Sequence, residues 1–403
     1  MTNKQAAIQI IQNLRNAGFE ALLAGGCVRD MLLGKEPKDY DVVTGATPRD
    51  VCKLFRRTIK VGAKFGVIIV MMDDHQIEVA TFRTETGYSD GRRPDSVSFT
   101  CAKEDALRRD FTINGMFYNP LKKEVIDYVG GQEDLKKKII RTIGSADERF
   151  SEDYLRMLRA VRFAAQLDFK IEKKTLAAVK KYSDNITKIS GERIAMEISS
   201  LLAAVKRKQG VKLLIETGLA EKIFPVFKSK SATEFAMKVL GVVPKEITFE
   251  LGTAALFSEC QMNEAMENLE LLKLSRNQLR HINFLLEKRD YLLGKLSLAE
   301  LKMIVSKPYF EDLYLLQKAI LKANRKSISA LTAIRKRANA LAGKELQPKP
   351  LLNGYELISL GAKLGPQVGG VSKDLYTEQL LERVCTKKDA IEWVKNWLKK
   401  HNS

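Results

Sequence analysis

The spacing of apolar residues divides the chain into a mixed first part and a helical second part. A short amphipathic helix is predicted over residues 4–17, where apolar residues recur on one face: Ala7, Ile10, Ile11 and Leu14. The apolar residues 21–24 predict a strand that stops at Gly25. From residue 146 onward, helical periodicity dominates and predicts helices over residues 154–167, 194–206, 235–240 and 378–400.

Two apolar runs, residues 65–72 and 76–82, predict a β-hairpin within the first part. Thr47 followed by Pro48 is typical of a helix start, and this helix is expected to extend to Phe55. Gly and Pro become frequent again over residues 343–370, which predicts a loop cluster before a last helical segment. The first part is therefore expected to be a small α/β domain.

Composition and charge remove several classes of protein. The 403 residues include five scattered Cys and three isolated His, without a CxxC or HExxH motif, which excludes zinc ribbons, disulfide scaffolds and zinc proteases. No apolar run is long enough to cross a membrane and no signal peptide is recognisable, so we expect a cytoplasmic protein. The net charge of +19 favours a polyanionic partner, although a Lys-rich solvated surface has the same charge.

Asp39 and Asp41 flank Tyr40 directly before the apolar pair Val42-Val43. On a strand, side chains two residues apart point to the same face, so these carboxylates are expected to lie side by side. Two negative charges held that close are stabilised by a cation between them, and oxygen ligands favour Mg²⁺. Taken alone, the pair is equally consistent with an exposed acidic turn.

Gly25-Gly26 lies between the predicted strand and a helix that contains Arg29. Glycine lets a phosphate approach the backbone, and the helix start offers free N–H groups, although the motif is neither GxGxxG nor a P-loop. Arg108-Arg109, within the sequence RRDFTIN, precedes another helix start and suits a triphosphate clamp or a surface ion pair.

Asp153 and three arginines recur at intervals of three residues along a predicted helix: Arg156, Arg159 and Arg162. Such spacing produces a slowly drifting stripe of neighbouring side chains. Because only one acid accompanies the three arginines, the stripe predicts an anionic ligand.

In this order and spacing, the motifs resemble those of the class II tRNA nucleotidyltransferases and bacterial poly(A) polymerases of the polymerase β superfamily. The resemblance covers about residues 20–205. It implies an α+β fold, in which a nucleotidyltransferase head with a small mixed sheet precedes an all-α neck, body and tail. The implied boundaries of these four domains are 1–145, 146–205, 206–320 and 321–403.

The resemblance also implies roles for individual residues. Asp39 and Asp41 would be catalytic and would hold two Mg²⁺, with Glu78 as a third or neighbouring carboxylate. The nucleotide would bind to Gly26, Arg29, Arg109, Asp153, Arg156, Arg159 and Arg162. The stretch GERIAMEISSLL, from Gly191, is expected to be structural.

The expected reaction joins a nucleotide to an RNA 3′-hydroxyl with release of pyrophosphate. Asp153 can only accept hydrogen bonds and Arg156 can only donate them, which matches the Watson–Crick edges of cytosine and adenine and mismatches uracil and guanine.

Residues 58–70 resemble the tRNA-repair branch, and residues 88–95 resemble a flexible loop of CCA-adding enzymes. The expected function is therefore addition of CCA to the tRNA 3′ end from CTP and ATP, with tRNA contacts in the basic segment 322–349. Poly(A) synthesis, A-only or CC-only addition, and a non-catalytic RNA-binding scaffold remain alternatives. No membrane partner is expected, and no oligomeric state is predicted.

Overall fold

A computed structural model describes residues 1–87 and 96–401. The predicted loop at residues 88–95 lies outside these described residues. The chain forms two compact units. Residues 1–233 and 267–274 form the first unit, and residues 234–266 together with those from 275 onward form the second. The division into head, neck, body and tail remains a prediction.

The first unit is built around a mixed seven-stranded sheet. Its strands are β1 (Ala21–Ala24), β2 (Val42–Thr44), β3 (Thr58–Gly62), β4 (Val67–Met72), β5 (His75–Thr81), β8 (Met116–Asn119) and β9 (Glu124–Asp127). Their order is β3-β4-β5-β2-β1-β8-β9, with β2 parallel to β5 and every other pair antiparallel. The remaining described strands form two-stranded pairs: β6 (Arg83–Thr86) with β7 (Ser96–Phe99), and β10 (Ile139–Ile140) with β11 (Lys170–Ile171). The strand over residues 21–24 and the hairpin of β4 and β5 confirm those predictions.

Helices surround this sheet and then continue without it. Those of the first unit are α1 (Asn3–Asn16), α2 (Gly26–Leu32), α3 (Pro48–Leu54), α4 (Ala102–Leu107), α5 (Gly131–Lys137), α6 (Ala146–Glu152), α7 (Leu155–Leu167), α8 (Lys173–Tyr182), α9 (Gly191–Leu202), α10 (Arg207–Glu216) and α11 (Leu219–Ile223). Thr47 caps the start of α3 as predicted, and Thr2 forms the same kind of side-chain cap at the start of α1. A core cluster joins sheet and helix residues: Leu22, Ala24, Val43, Phe82, Ala102, Ala106 and Phe117.

The second unit is helical within the described residues. Its helices are α13 (Phe249–Leu256), α15 (Arg276–Glu287), α16 (Leu298–Val305), α17 (Phe310–Ala323), α18 (Ser329–Asn339), α19 (Gly354–Ser359), α20 (Pro366–Leu380) and α21 (Lys387–His401), while α12 (Lys230–Leu240) and α14 (Met262–Glu270) each contain a boundary between units. The described residues also form short 3₁₀ helices at Ala63–Phe65, Thr112–Asn114, Ser183–Lys188, Pro225–Lys228 and Tyr291–Leu293. A mixed sheet followed by helices confirms the predicted α+β class.

The prediction of one helix over residues 378–400 is wrong, because α20 ends at Leu380 and α21 begins at Lys387. Lys302, whose side chain is 5% exposed, donates to the carbonyl of Leu380 and to Glu382, both at 2.9 Å. A cation at this position satisfies the carbonyl end of α20. Thr386 and Asp389 then cap each other's backbone N–H and start α21.

The loop cluster predicted over residues 343–370 is also wrong in part. It contains α19, which is capped by Asn353, and the first turn of α20. Pro366 lies at the first position of α20, where a backbone N–H would have no partner within the helix, so proline is tolerated. Gly and Pro thus mark helix starts here. Among residues 1–87 and 96–401, no helix is long and apolar enough to span a bilayer.

Gly131 begins α5 where a side chain would collide with the turn that follows RRDF. A Cβ atom there would lie 2.3 Å from the carbonyl oxygen of Thr112 and 2.7 Å from Met116 Cγ. We expect Gly131→Ala to lower the free energy of unfolding by about 1–3 kcal/mol, as other overpacking changes do. Gly45→Ala is the matched control, because its Cβ would meet nothing within 4 Å. Urea unfolding measures both variants, and equal stabilities would contradict the close contact.

Candidate active site

A cavity of about 750 Å³ in the first unit brings the predicted site residues together. Its wall contains seven arginines and four aspartates, so positive charge is in excess. These residues are Arg29, Arg108, Arg109, Arg156, Arg159, Arg162, Arg193, Asp39, Asp41, Asp110 and Asp153, with Gly25, Gly26, Asn114, Leu155 and Phe163. An anionic ligand of nucleotide size would therefore be bound favourably.

The glycine turn between β1 and α2 forms one end of the cavity. Gly25 has φ +72°, and a Cβ atom there would lie 3.0 Å from Arg109 Nη1. Glycine therefore permits both the turn and the approach of this guanidinium group. Arg29, in the first turns of α2, donates to Asn114 Oδ1 at 2.8 Å.

Asp39 and Asp41 lie in the segment before β2, not on the strand as predicted, and both line the cavity. Buried Tyr40 separates the two exposed carboxylates. The parallel register of Val42 with Val79 brings Glu78 of β5 beside Asp41, and a smaller cavity of about 280 Å³ is lined by all three acids.

The surroundings of Asp41 oppose its ionisation. The residue is exposed on the cavity wall, yet its carboxyl group has lost part of its surrounding water, and this is the main reason that its pKa is raised to about 6. The negative charges of Glu78 and Asp39 also raise the pKa, whereas Arg109 lowers it. Among the described residues, no three His, Cys, Asp or Glu side chains are grouped to hold a metal ion. A cation at Asp39 and Asp41 would therefore need further ligands from a substrate.

The two arginines of RRDFTIN are held by one buried acid. Arg108 and Arg109 pair with Asp105 of α4 at 2.7 and 2.9 Å. Burial alone would raise the pKa of Asp105, but the two guanidinium groups lower it below its ordinary value. This pairing fixes both arginines on the cavity wall and replaces the surface ion pair considered from sequence.

Asp110 and Asn114 connect the two sides of the cavity. Asp110 Oδ2 accepts from Arg159 Nε and Nη2 at 2.8 and 2.7 Å, and Asp110 Oδ1 accepts from Asn114 Nδ2 at 3.1 Å. Asn114 in turn accepts from Arg29. A continuous chain of hydrogen bonds therefore joins the glycine turn to α7.

The prediction that only one acid, Asp153, accompanies the three arginines is wrong. Arg156 pairs with Glu152, Arg159 with Asp110, and Arg162 with Glu197, the last at 2.5 Å. Glu152 is a local acid that the count left out, whereas Asp110 and Glu197 are far away in sequence. Asp153 precedes α7 and does not belong to its helical face.

An aromatic ring packs among the arginine heads. Phe163 lies 5.2 Å from the guanidinium of Arg29, 5.3 Å from that of Arg159 and 3.9 Å from that of Arg162. Cation–π attraction of this kind is worth about 0.5–2 kcal/mol at each contact. The ring therefore helps to hold the guanidinium planes in place.

Two residues of α9 that sequence reasoning treated as structural belong to this site. Arg193 lines the cavity and pairs with Asp153, and Glu197 pairs with Arg162. The signal was present in GERIAMEISSLL, because Arg193 and Glu197 are four residues apart and share a helix face.

The first unit has the features expected of a nucleotidyltransferase head: a mixed sheet, a carboxylate pair, a glycine turn at a helix start and an arginine-lined cavity. Residues 21–141 match the poly A polymerase head domain, and residues 168–231 match a domain described as the probable RNA and SrmB-binding site of polymerase A. Over these two segments the chain is similar to the family that its motifs resemble, the class II tRNA nucleotidyltransferases and bacterial poly(A) polymerases.

Several curated relatives are CCA-adding enzymes. The one from Enterococcus faecalis is 48% identical over 215 residues, which is 53% of this chain and 52% of the relative. The one from Streptococcus mutans is 40% identical over 252 residues, 62% of each chain. The chain thus spans about half to three fifths of the length of these two relatives.

A solved structure matches over the full length of both chains. It is the Bacillus stearothermophilus CCA-adding enzyme in complex with CTP, with a TM-score of 0.84 and 27% sequence identity.

Asp41→Asn should stabilise the metal-free protein at high pH. Because the folded pKa lies above the unfolded value, ionisation of Asp41 costs stability above about pH 6, and this cost is absent below about pH 4. With EDTA at pH 8 the variant should gain up to about 1 kcal/mol, since the open cavity screens the effect. Thermal unfolding from pH 4 to 8 measures it, with Asp74→Asn in an exposed turn as control. A gain that is the same at every pH would contradict the raised pKa.

Proposed function

We propose that the protein adds CCA to the 3′ end of tRNA, from CTP and ATP and with release of pyrophosphate. The observation that carries this proposal is that one cavity combines a carboxylate pair, a glycine turn at a helix start, and Asp153 with Arg156. The likeness to CCA-adding enzymes in sequence, and to one in complex with CTP in structure, supports the choice of tRNA, CTP and ATP.

The carboxylate pair fits Mg²⁺. Asp39 and Asp41 offer two neighbouring carboxylates as oxygen ligands. The raised pKa of Asp41 arises first from partial burial of its carboxyl group and then from the nearby charge of Glu78, and a bound cation would favour its ionised form. Asp39 and Asp41 would hold the ion, which would supply positive charge to activate the RNA 3′-hydroxyl and to neutralise the triphosphate. Magnesium commonly takes one or two carboxylates and completes its shell with water and substrate phosphates.

The arginines and the glycine turn hold the triphosphate. Backbone N–H groups at Gly26 can approach phosphate oxygens at the start of α2, and Arg29 and Arg109 add charge-assisted donors. Both guanidinium groups are already fixed by protein partners, so little side-chain freedom is lost on binding. Arg159 and Arg162 extend the positive wall towards α9.

Asp153 and Arg156 select the base. Cytosine and adenine both present an amino donor beside a ring-nitrogen acceptor, which matches one carboxylate and one guanidinium. Uracil and guanine present the reverse order and leave polar groups unpaired, at a penalty of about 1–3 kcal/mol per group. Two different nucleotides can therefore be accepted by one pair of side chains.

A second candidate, poly(A) synthesis, is favoured by the match of residues 21–141 to the poly A polymerase head domain. The deciding experiment offers tRNA that ends before CCA, after C and after CC, with each nucleoside triphosphate and Mg²⁺. The proposal expects C, C and A in that order, followed by a stop. Long A tails on unrelated RNA would support the second candidate, and no transfer would support a binding scaffold.

Asp39→Ala and Asp41→Ala should each lower the transfer rate at least about 10³-fold, because charge stabilisation at the reacting phosphate is lost. The measurement is single-turnover C addition at saturating Mg²⁺, with tRNA binding measured separately by gel shift. Asp74→Ala serves as the control. A variant that keeps more than a tenth of the wild-type rate would exclude these two carboxylates as the metal ligands.

The basic segment 322–349 contributes to tRNA affinity through its exposed charges. Arg335 is already engaged, because it makes a two-point pair with Glu311 at 2.5 and 2.6 Å and lies 3.9 Å from the ring of Tyr314. The neighbouring Lys336 and Arg337 on α18 are exposed. The phosphate contacts expected from sequence therefore fall on Lys336 and Arg337, while Arg335 supports the packing of α18.

Replacing Lys336 and Arg337 with Glu should raise the KM for tRNA and flatten its dependence on KCl. Each lost phosphate contact lowers the slope of log affinity against log salt by about 0.7–0.9. The turnover rate at saturating tRNA and the KM for CTP should stay near wild type. The control makes the same charge change at exposed Lys122 and Lys123 in the turn between β8 and β9. Superimposable salt curves for wild type and variant would show that tRNA is bound elsewhere.

A further inference from the structure

Arg193 holds the carboxylate that is proposed to face the base. Its Nη1 donates to Asp153 Oδ1 at 3.2 Å and its Nη2 donates to Asp153 Oδ2 at 2.6 Å. The Arg193 and Asp153 side chains are 17% and 14% exposed, and both line the cavity. This two-point pair is planar and directional, unlike a contact with a single ammonium group.

The helix that carries Arg193 is itself fixed in place. At Gly191, the first residue of α9, a Cβ atom would lie 2.0 Å from the carbonyl oxygen of Leu271, so α9 begins in direct contact with that backbone. One turn beyond Arg193, Glu197 pairs with Arg162 of α7. The backbone of α9 is therefore held by contacts on both sides of Arg193, at Gly191 and at Glu197.

Counting acceptor sites shows what this pair leaves for a base. A carboxylate has about four acceptor sites, two on each oxygen. Asp153 Oδ1 accepts from the backbone N–H of Leu155 at 3.0 Å as well as from Arg193, so both of its sites are used. Asp153 Oδ2 accepts from Arg193 and retains one site.

We propose that Arg193 is a positioning residue for base selection. It holds the Asp153 carboxylate so that only one acceptor site, on Oδ2, stays open to the base, in a fixed direction. The inference rests on the proposed function, in which Asp153 accepts from the amino group of cytosine or adenine. Held in this way, the carboxylate can receive the N4 or N6 amino group. It cannot turn towards N3–H of uracil or N1–H of guanine.

Loss of Arg193 would free two further acceptor sites on Asp153 and leave three of the four open, with only the Leu155 N–H remaining as a donor. The carboxylate could then rotate to accept from uracil or guanine, so the wrong bases would gain a partner that they lack in the wild type. Cytosine and adenine would still find an acceptor. Discrimination should therefore fall mainly because the wrong nucleotides improve, and a purely structural ion pair would not produce that pattern.

The test compares Arg193→Ala and Arg193→Lys with wild type in two assays. The first measures kcat and KM for each of the four nucleoside triphosphates on tRNA substrates that await C or A. The second measures equilibrium binding of CTP and UTP in the absence of RNA. Arg141→Ala is the control, because it breaks an arginine–aspartate pair, in which Arg141 Nε donates to both carboxylate oxygens of Asp134, that does not line the cavity. Thermal unfolding reports the stability of every variant.

For Arg193→Ala we expect the CTP-to-UTP ratio of kcat/KM to fall about tenfold or more, with a matching fall in the ratio of affinities. Arg193→Lys should lie between Ala and wild type, because lysine restores the charge without the two-point geometry. Arg141→Ala should leave the ratio unchanged even if it lowers the melting temperature.

Equal losses for all four nucleotides, or an unchanged ratio in both Arg193 variants, would overturn the inference. Failure of the proposed function has a different signature, since wild type would then transfer no C or A to tRNA. In that case the binding assay still tests the inference. If Arg193→Ala kept the full wild-type preference for CTP over UTP, the proposed role of Arg193 would be contradicted.

Discussion

The site depends on pairing the arginines of the cavity wall with carboxylates, some close in sequence and some far away along the chain. Asp105, Asp110, Glu152 and Glu197 hold arginines that would otherwise repel one another and move freely. Such pairs are costly to bury and contribute little net stability, but they fix guanidinium groups in defined orientations. The protein thereby obtains a positive cavity whose geometry exists before a ligand enters.

This constraint also explains the role of the secondary structure around the cavity. The turn before β2 supplies the two carboxylates, the start of α2 supplies backbone donors, and α7 and α9 supply the remaining charged side chains. None of these elements forms the site alone. Asp110 and Asn114 join them, because one side chain accepts from α7 and the other accepts from α2.

Local sequence signals identified much of this arrangement. The strand at 21–24, the hairpin of β4 and β5, and the cap of α3 at Thr47 all follow from neighbouring residues, and the structure confirms them. The predicted site residues also meet in one cavity. The acidic partners of Arg159 and Arg162 were missed because they lie 49 and 35 residues away along the chain. The break between α20 and α21 was missed in part for the same reason, since Lys302 of a different helix holds the end of α20. The cap formed by Thr386 and Asp389 at the start of α21 was a local signal that helical periodicity overlooked.

The arginine–carboxylate pairs have a consequence for how the protein's +19 charge behaves in salt. Guanidinium groups clamped in the cavity are shielded by protein and keep their partners as ionic strength rises, whereas exposed side chains such as Lys336 exchange freely with counterions. The molecule thus carries two kinds of positive charge, one fixed by its fold and one shared with the solution. A change of ionic strength that weakens the surface charge leaves the shape of the nucleotide cavity intact.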